Sequence, residues 1–172
     1  ARDYDGFSEE ARIKDLTLHP WLSALVPNIQ ADSRLGRLKT TTSPPNGNWG
    51  GAQGLLYAYG ARSFSIWDAG SHAAPALTQV YDSGQELETI TAAADPDNFN
   101  STDNENASFD NRSDDKGPEP EAVTVGTIFH GGRYHTYAFI GLERVGGIVV
   151  YDVSLPELPI FETYVNTRDF AG

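Results

Sequence analysis

Cysteine is absent from this 172-residue chain. No disulfide framework, thiolate metal site or cysteine nucleophile is open to it. The absence fits a cytosolic protein and many exported bacterial ones alike, so it decides no compartment. Basic residues are also scarce: 12 Lys and Arg stand against 24 Asp and Glu, a formal net charge of −12. That balance argues against nucleic acid, whose phosphates need cationic partners, and against anionic membrane surfaces. It suits salty surroundings or divalent cations. No apolar run approaches the ~18–20 residues of a membrane-spanning helix. The opening residues ARDYDGFSEE carry no signal-peptide pattern, so an exported protein would present this chain as a processed or excised piece. No serine sits in a G-x-S-x-G elbow, and no glycine-rich phosphate loop precedes a helix.

What the chain does contain is mostly strand-like. Residues 11–18 alternate as an extended segment, ended at His19-Pro20. A short helical period follows, with Pro27 at the start of the expected helix and Gly36 as its stop. Residues 37–42 read as a strand, 43–54 as a loop dense in Pro, Gly and Asn. Leu55–Tyr59 and Ser63–Trp67 read as two strands joined by a tight Gly60-Ala61 hairpin. Thr78–Tyr81 is a further strand, and Glu86–Ala94 is ambiguous between strand and helix. After residue 121 come strands at 122–129, 134–142, 147–153 and 159–165, with His130-Gly131-Gly132 as a turn.

Part of this pattern repeats. Tyr57-Ala58-Tyr59 matches Tyr137-Ala138-Phe139, and Ile66-Trp67-Asp68 matches Val150-Tyr151-Asp152. Each unit then runs through a proline-containing turn to a last strand. Four-strand units of about 40–50 residues are the sequence sign of β-propeller blades; two generic antiparallel meanders are the alternative. The expected fold is all-β: about two propeller blades from a larger ring, with one short helix. The expected division is an N-terminal segment and helix (1–36), a first blade-like unit (37–94), an acidic insertion (95–121) and a second blade-like unit (122–172). Two blades cannot close a ring, because propellers have typically about 4–8. The partners expected are therefore the remaining blades of a parent protein, or other copies of the chain.

The insertion, DPDNFNSTDNENASFDNRSDDKGPEPE, holds nine carboxylates and five asparagines. Connections in compact domains are usually about 4–6 residues long. Either this run is a solvated acidic loop, or something other than an apolar core orders it. Calcium, or another hard divalent cation, takes about six to eight oxygens from such residues. The candidate ligands are Asp95, Asp97, Asn98, Asn100, Asp103, Glu105, Asp110, Asp114 and Asp115, with Asn104 and Asn111 as further oxygens. The EF-hand pattern is not matched. Phe99 and Phe109 are expected to pin the loop onto a blade. Three tripeptides, at Asn100, Asn106 and Asn111, match the N-glycosylation acceptor. Glu119 and Glu121 precede a strand that would line a propeller channel. They can hold a metal or share acid and base roles, or simply end an exposed loop. Arg112, Arg144 and Arg62 are candidates for a phosphate, and Glu143-Arg144 for a local ion pair. His130 and His135 flank a turn, as metal ligands or as solvated histidines. Trp67, Tyr57, Tyr137 and Tyr151 fit a core better than a stacking platform.

The runs YGARSFSIWDAG (59–70), ITAAADPDNFNS (90–101), FDNRSDDKGPEPE (109–121) and FIGLERVGGIVVYDV (139–153) resemble choice-of-anchor I domain proteins. DYDGFSEEARI (3–13) and YVNTRDF (164–170) are similar to that family too. These are LVIVD-type propellers related to the mesenchyme-specific cell-surface glycoprotein and often labelled alkaline phosphatase-like. The resemblance implies an interior portion of an extracellular, cell-surface or periplasmic β-propeller. Two departures stand out. Ala122 replaces a glycine common after EPE, and the loop 46–54 lacks the acidic residues frequent there in relatives. Three readings follow: a cation-stabilised propeller module that binds a partner or polymer, a metal-dependent phosphoesterase using Glu119, Glu121, Arg112 and Arg144, or a structural, adhesive component of an extracellular layer.

Overall fold

A computed structural model describes residues 3–4, 6–43, 48–49, 51–60 and 62–171, with the backbone alone at 3, 4, 7, 48 and 49. The chain separates into two compact units. The first comprises Ala1–Gly60 with Ser113–Asp115; the second comprises Ala61–Arg112 with Lys116–Gly172.

Short antiparallel pairs make up the first unit: β1 (Asp3–Tyr4) with β2 (Phe7–Ser8), β3 (Glu10–Arg12) with β4 (Lys39–Thr41), and β5 (Asn48–Trp49) with β6 (Ala52–Gln53). The strand expected at 37–42 is thus present as β4. Helix α1 is Pro20–Leu25, not the expected run from Pro27 to Gly36. Pro20 sits at the first helical position, and His19 Nδ1 accepts from Trp21 N at 3.4 Å as a cap. After Pro27, Asn28 takes a left-handed φ of 59°, which prevents a continuing helix, and turns carry the chain to Gly36. Ile13, Leu22 and Ile29 form the buried core of this unit, with Leu18, Val26, Leu38 and Leu56 against it. Leu55–Tyr59 is not a strand. Tyr57 O accepts from Thr41 N at 3.0 Å and Ala58 forms a lone bridge with Thr40, so this run lies along β4. The expected Gly60-Ala61 hairpin includes Ala61, which lies outside the described residues.

The second unit starts with a hairpin, β7 (Ser65–Ser71) and β8 (Ala74–Asp82). Helix α2 (Glu86–Ala94) resolves the ambiguous run and adds a second α-helix to the one expected. Glu86 and Glu88 in its first turn favour the positive end of the helix dipole, and Leu87 and Thr91, four apart, turn one face inward. Strands β9 (Pro120–His130), β10 (Arg133–Leu142), β11 (Ile148–Asp152) and β12 (Ile160–Val165) follow as one antiparallel up-and-down sheet. His130 pairs with Arg133 across Gly131-Gly132, whose φ values of 58° and 85° make the two-residue turn that a twisted hairpin needs. Four strands in sequence order are the form of one propeller blade. Over residues 37–94 the strands pair only two by two among the described residues. Ile66-Trp67-Asp68 and Val150-Tyr151-Asp152 do both lie on strands that pair with the next one, so the repeat survives there. The protein is all-β in class, with no closed ring among the described residues.

Leu87, Ile140, Leu142, Val145, Val149 and Tyr151 form the core of the second unit. Leu87, in the first turn of α2, is 0% exposed. We expect Leu87→Ala to lower stability by about 2–5 kcal/mol through lost burial and a cavity. Leu77→Ala on β8, 73% exposed, is expected to change it by less than about 0.5 kcal/mol. Urea unfolding followed by far-ultraviolet circular dichroism distinguishes the two; equal effects would refute this core assignment.

Candidate functional site

The densest charge cluster in the second unit surrounds Glu119, the glutamate just ahead of β9. It is 2% exposed and has a φ of 52°, uncommon for a residue other than glycine. The backbone is held in place from the β10–β11 loop: Glu143 N donates to Glu119 O at 2.9 Å and Arg144 N to Pro118 O at 3.4 Å. Its side chain is surrounded by cations. Oε1 accepts from Arg112 Nη2 at 2.8 Å and from Arg144 Nε at 3.1 Å, and Oε2 meets Lys116 Nζ at 2.5 Å. Burial pushes the Glu119 pKa up. Hydrogen bonds from Lys116 and Arg112, with the charges of Lys116 and Arg144, outweigh it and hold the group below the ordinary carboxylate value. Lys116 is raised in turn, chiefly by its bond to Glu119.

From there the pairing spreads through the insertion. Arg144 Nη1 donates to Asp103 Oδ1 at 2.7 Å, and its Nε lies 3.3 Å from Glu143 Oε2, which is the local ion pair expected from sequence. Arg62 Nη1 meets Glu88 Oε1 at 2.5 Å, and buried Asn100 donates to the same oxygen at 2.9 Å. Gly117 packs on this pair: a Cβ there would lie 2.7 Å from Arg62 Nη1 and 2.8 Å from Glu88 Oε1. Arg168 reaches in from the segment after β12. It donates to Thr102 O, Arg144 O, Glu105 O and Asn106 Oδ1 while lying 4.3 Å over the Phe170 ring. The insertion also bonds to itself, Asp110 N to Phe99 O at 2.8 Å and Arg112 N to Asn100 O at 2.9 Å. Phe99 and Phe109 face each other at 6.5 Å, and Phe109 is exposed, so arginines rather than these rings pin the loop.

The sequence candidates fall in separate places. Asp95 accepts from Asn98 through both carboxylate oxygens at 3.0 Å, Asp97 is exposed, and Asp110 is half-buried. Glu105 accepts Arg168 through its backbone and is exposed. In the first unit, Asp114 pairs with Arg12 at 2.9 Å and Arg37 at 3.4 Å, and Asp115 with Lys39 at 2.8 Å. Among the described residues, Glu119, Glu121 and Glu143 are the one group of three acidic or histidine side chains whose ligand atoms lie within 4.8 Å of one another. These three can accept a metal ion, with Lys116 Nζ already 2.5 Å from Glu119 Oε2 and 3.5 Å from Glu121 Oε1. His130 and His135 rings are 6.4 Å apart, but His135 is spoken for: Nδ1 lies 2.6 Å from Asp152 Oδ2, and Nε2 accepts from Arg133 Nε at 2.9 Å. Tyr151 is core, as expected, whereas Trp67 is exposed.

Residues 1–156 match the choice-of-anchor I domain. The chain belongs to that family. Gigasin-3a from Magallana gigas is similar, 35% identical over 130 residues. The match covers 73% of this chain and 42% of that relative, so the chain spans less than half of the relative's length. No solved structure matches. Within this family member, the parts that sequence reasoning missed are Arg168, Glu88 and the role of Lys116. YVNTRDF had marked Arg168 as a family-like position, but nothing local tells that its guanidinium reaches back some 60 residues along the chain, from Arg168 to Asn106.

Glu119 generates a pH prediction. Because its folded-state pKa is lowered, its contribution is complete above the unfolded glutamate value of about 4.3 and is lost as pH falls through the lowered value. Glu119→Gln leaves three cations without their counter-charge and is expected to lower stability near pH 7 by about 3–5 kcal/mol. It should also flatten the acid limb of the stability–pH curve. Urea unfolding of both proteins at pH 7 and pH 3 checks this; a difference that persists unchanged at pH 3 would contradict it.

Proposed function

We propose that this chain is part of a surface-displayed or extracellular β-propeller-like module whose task is binding, and that the rest of its parent protein, or further copies, cover its open sheet. The observation that carries the reading is an apolar face that runs out of cover. Ile140 and Ala138 on β10 are buried, and directly opposed residues of an antiparallel pair point the same way. Their partners Val123 and Val125 on β9 extend that face, followed by Phe129, yet all three are exposed. The Thr127–Thr136 pair interrupts this row between Val125 and Phe129; exposed apolar side chains grouped in this way mark an interaction site, and β9 is also a sheet edge with unpaired backbone groups. The family match supports display outside the cell. Among the described residues no helix is long and apolar enough to cross a membrane.

The insertion serves this module as an ordered element. Basic side chains of the protein itself supply its counter-charge, and a divalent ion such as calcium would enter at Glu119, Glu121 and Glu143 in competition with Lys116. The phosphoesterase reading gains nothing from the geometry, because Arg112 and Arg144 both donate to Glu119.

Two experiments test the proposal. Val125→Lys with Phe129→Lys is expected to leave unfolding of this chain within about 0.5 kcal/mol, since exposed sites tolerate such changes, and to abolish its association with the remaining blades or with itself in sedimentation velocity. Unchanged association would refute the covering role of β9. Calcium is expected to raise the melting temperature of Lys116→Met more than that of the wild type, with chelator reversing the gain. No calcium effect on either protein would remove the ion from the proposal, and chelator-sensitive turnover of a chromogenic phosphate ester would replace binding with catalysis.

A further inference from the structure

A second polar feature of the second unit lies at the start of α2 and shares no residue with the Glu119 cluster. A cavity of about 410 Å³ opens there, within the roughly 300–1,000 Å³ typical of small-ligand sites. Its apolar walls are Ile90, Tyr151, Pro159 and Phe161, and its polar residues are Gln85, Glu86 and Thr89. Among the described residues no Lys, Arg or His lines it.

Glu86 is fixed from one side only. Its Oε2 accepts from Tyr81 OH at 2.9 Å and from Tyr151 OH at 2.8 Å. Burial first, then the Glu86 carboxylate itself, pushes both phenols well above their ordinary pKa, so they remain donors at any physiological pH. Oε1 has no partner among the described residues. The two tyrosines that hold this carboxylate belong to a cluster of aromatic rings. Phe64 lies 4.8 Å from Tyr151 and 5.5 Å from Tyr81, and Phe161 stands edge-on to Tyr151 at 5.8 Å. Phe161 is 44% exposed, an aromatic surface left open beside the charge.

A carboxylate oriented by two phenols, bordered by aromatic walls and free of basic neighbours, complements one ligand chemistry. An anion is repelled, and a neutral ligand gains nothing from the charge of Glu86, which is exposed at the mouth of the cavity. A cation with an apolar body satisfies both the carboxylate and the exposed ring of Phe161. We propose that this cavity binds an organic ammonium group, with Glu86 as its counter-ion and the exposed ring of Phe161 as its aromatic wall, while buried Tyr151 orients Glu86 from behind. The group can be a free quaternary ammonium compound or the lysine side chain of a partner. The assignment deepens the binding reading above and rests on it.

Proton NMR titration of the 172-residue chain tests it. The probes are tetramethylammonium chloride and, separately, the blocked tripeptide Gly-Lys-Gly, with sodium chloride as the ionic-strength control. The expected result is a saturable upfield ring-current shift of the probe's methyl or methylene protons. Glu86→Gln, whose amide oxygen still accepts from both tyrosines, should weaken binding at least about tenfold. Phe161→Leu should weaken it about threefold or more. Saturation by tetramethylammonium alone assigns a free quaternary cation, and saturation by the tripeptide as well assigns a partner's lysine. Circular dichroism confirms that each variant is folded; should Glu86→Gln unfold, Phe161→Leu decides. No saturable shift with either probe, or equal affinity in wild type and the folded variants, overturns the proposal. That outcome leaves the sedimentation result on β9 standing, so the two readings fail separately.

Discussion

A buried carboxylate that must not be left unpaired is the constraint from which the second unit takes its form. Isolated, an ionised Glu119 in its position would be costly by several kcal/mol, and the chain meets this with three cations. Those cations come from different places. Arg112 and Lys116 belong to the insertion, while Arg144 belongs to the loop between β10 and β11. The pairing is therefore a joint: the insertion cannot detach from the sheet without stranding the charge. The left-handed backbone at Glu119 points the same way. A glutamate in that region stores roughly 1–3 kcal/mol of strain and persists only where surrounding bonds over-determine it. Here the bonds from Glu143 N and Arg144 N do so.

The same economy of charge explains how a segment with nine carboxylates and few apolar residues stays ordered. Arg168 spends its donors on carbonyl oxygens, tying Thr102, Glu105 and Arg144 backbones to the chain beyond β12. Asn100, buried, shares Glu88 with Arg62. Asn100 and Asp110 take positive φ values of 46° and 59°, conformations that these residue types accept more readily than most. An acidic loop was thus never required to be a divalent-ion loop. The protein's few basic residues are concentrated where the carboxylates are, and Lys116 sits among the three glutamates best placed to accept an ion.

Where local chemistry decides structure, the sequence was a good guide. The β-branched and aromatic runs after residue 121, punctuated by Gly131-Gly132, are the four-stranded sheet, and RLKTTT contains β4. Glu143-Arg144 paired as its adjacency suggests. Legibility fails where tertiary contacts decide. Glu86–Ala94 alternates enough to pass for a strand, and the burial of Leu87 against the sheet makes it a helix. LLYAY has strand composition but lies along β4 through one bridge. Pro27 mimics a helix start, and only the cap at His19 reveals the true one. At the site, Glu119 and Arg144 were visible as charged residues beside turns, but their meeting was not. Nothing in a sequence aligns two loops 25 residues apart.

Tyr151 brings these threads together. Its ring completes the core with Leu87 and Val149, and its hydroxyl fixes Glu86 at the start of α2. That end of the sheet is closed by the unit's own helix, with every buried polar group of Tyr151 satisfied. Toward β9 the situation reverses. The face that Ile140 and Ala138 bury continues through Val123, Val125 and Phe129 with no element of this unit on it. Charge pairing around Glu119 ties the insertion to the sheet internally, and it is directional. On the β9 side the surface left open is apolar area and a strand edge, which are not selective by charge. A face covered on one side and open on the other is the form that the proposed contact with a neighbouring blade requires, whereas the carboxylate at the head of β9 already has its cations from the chain itself.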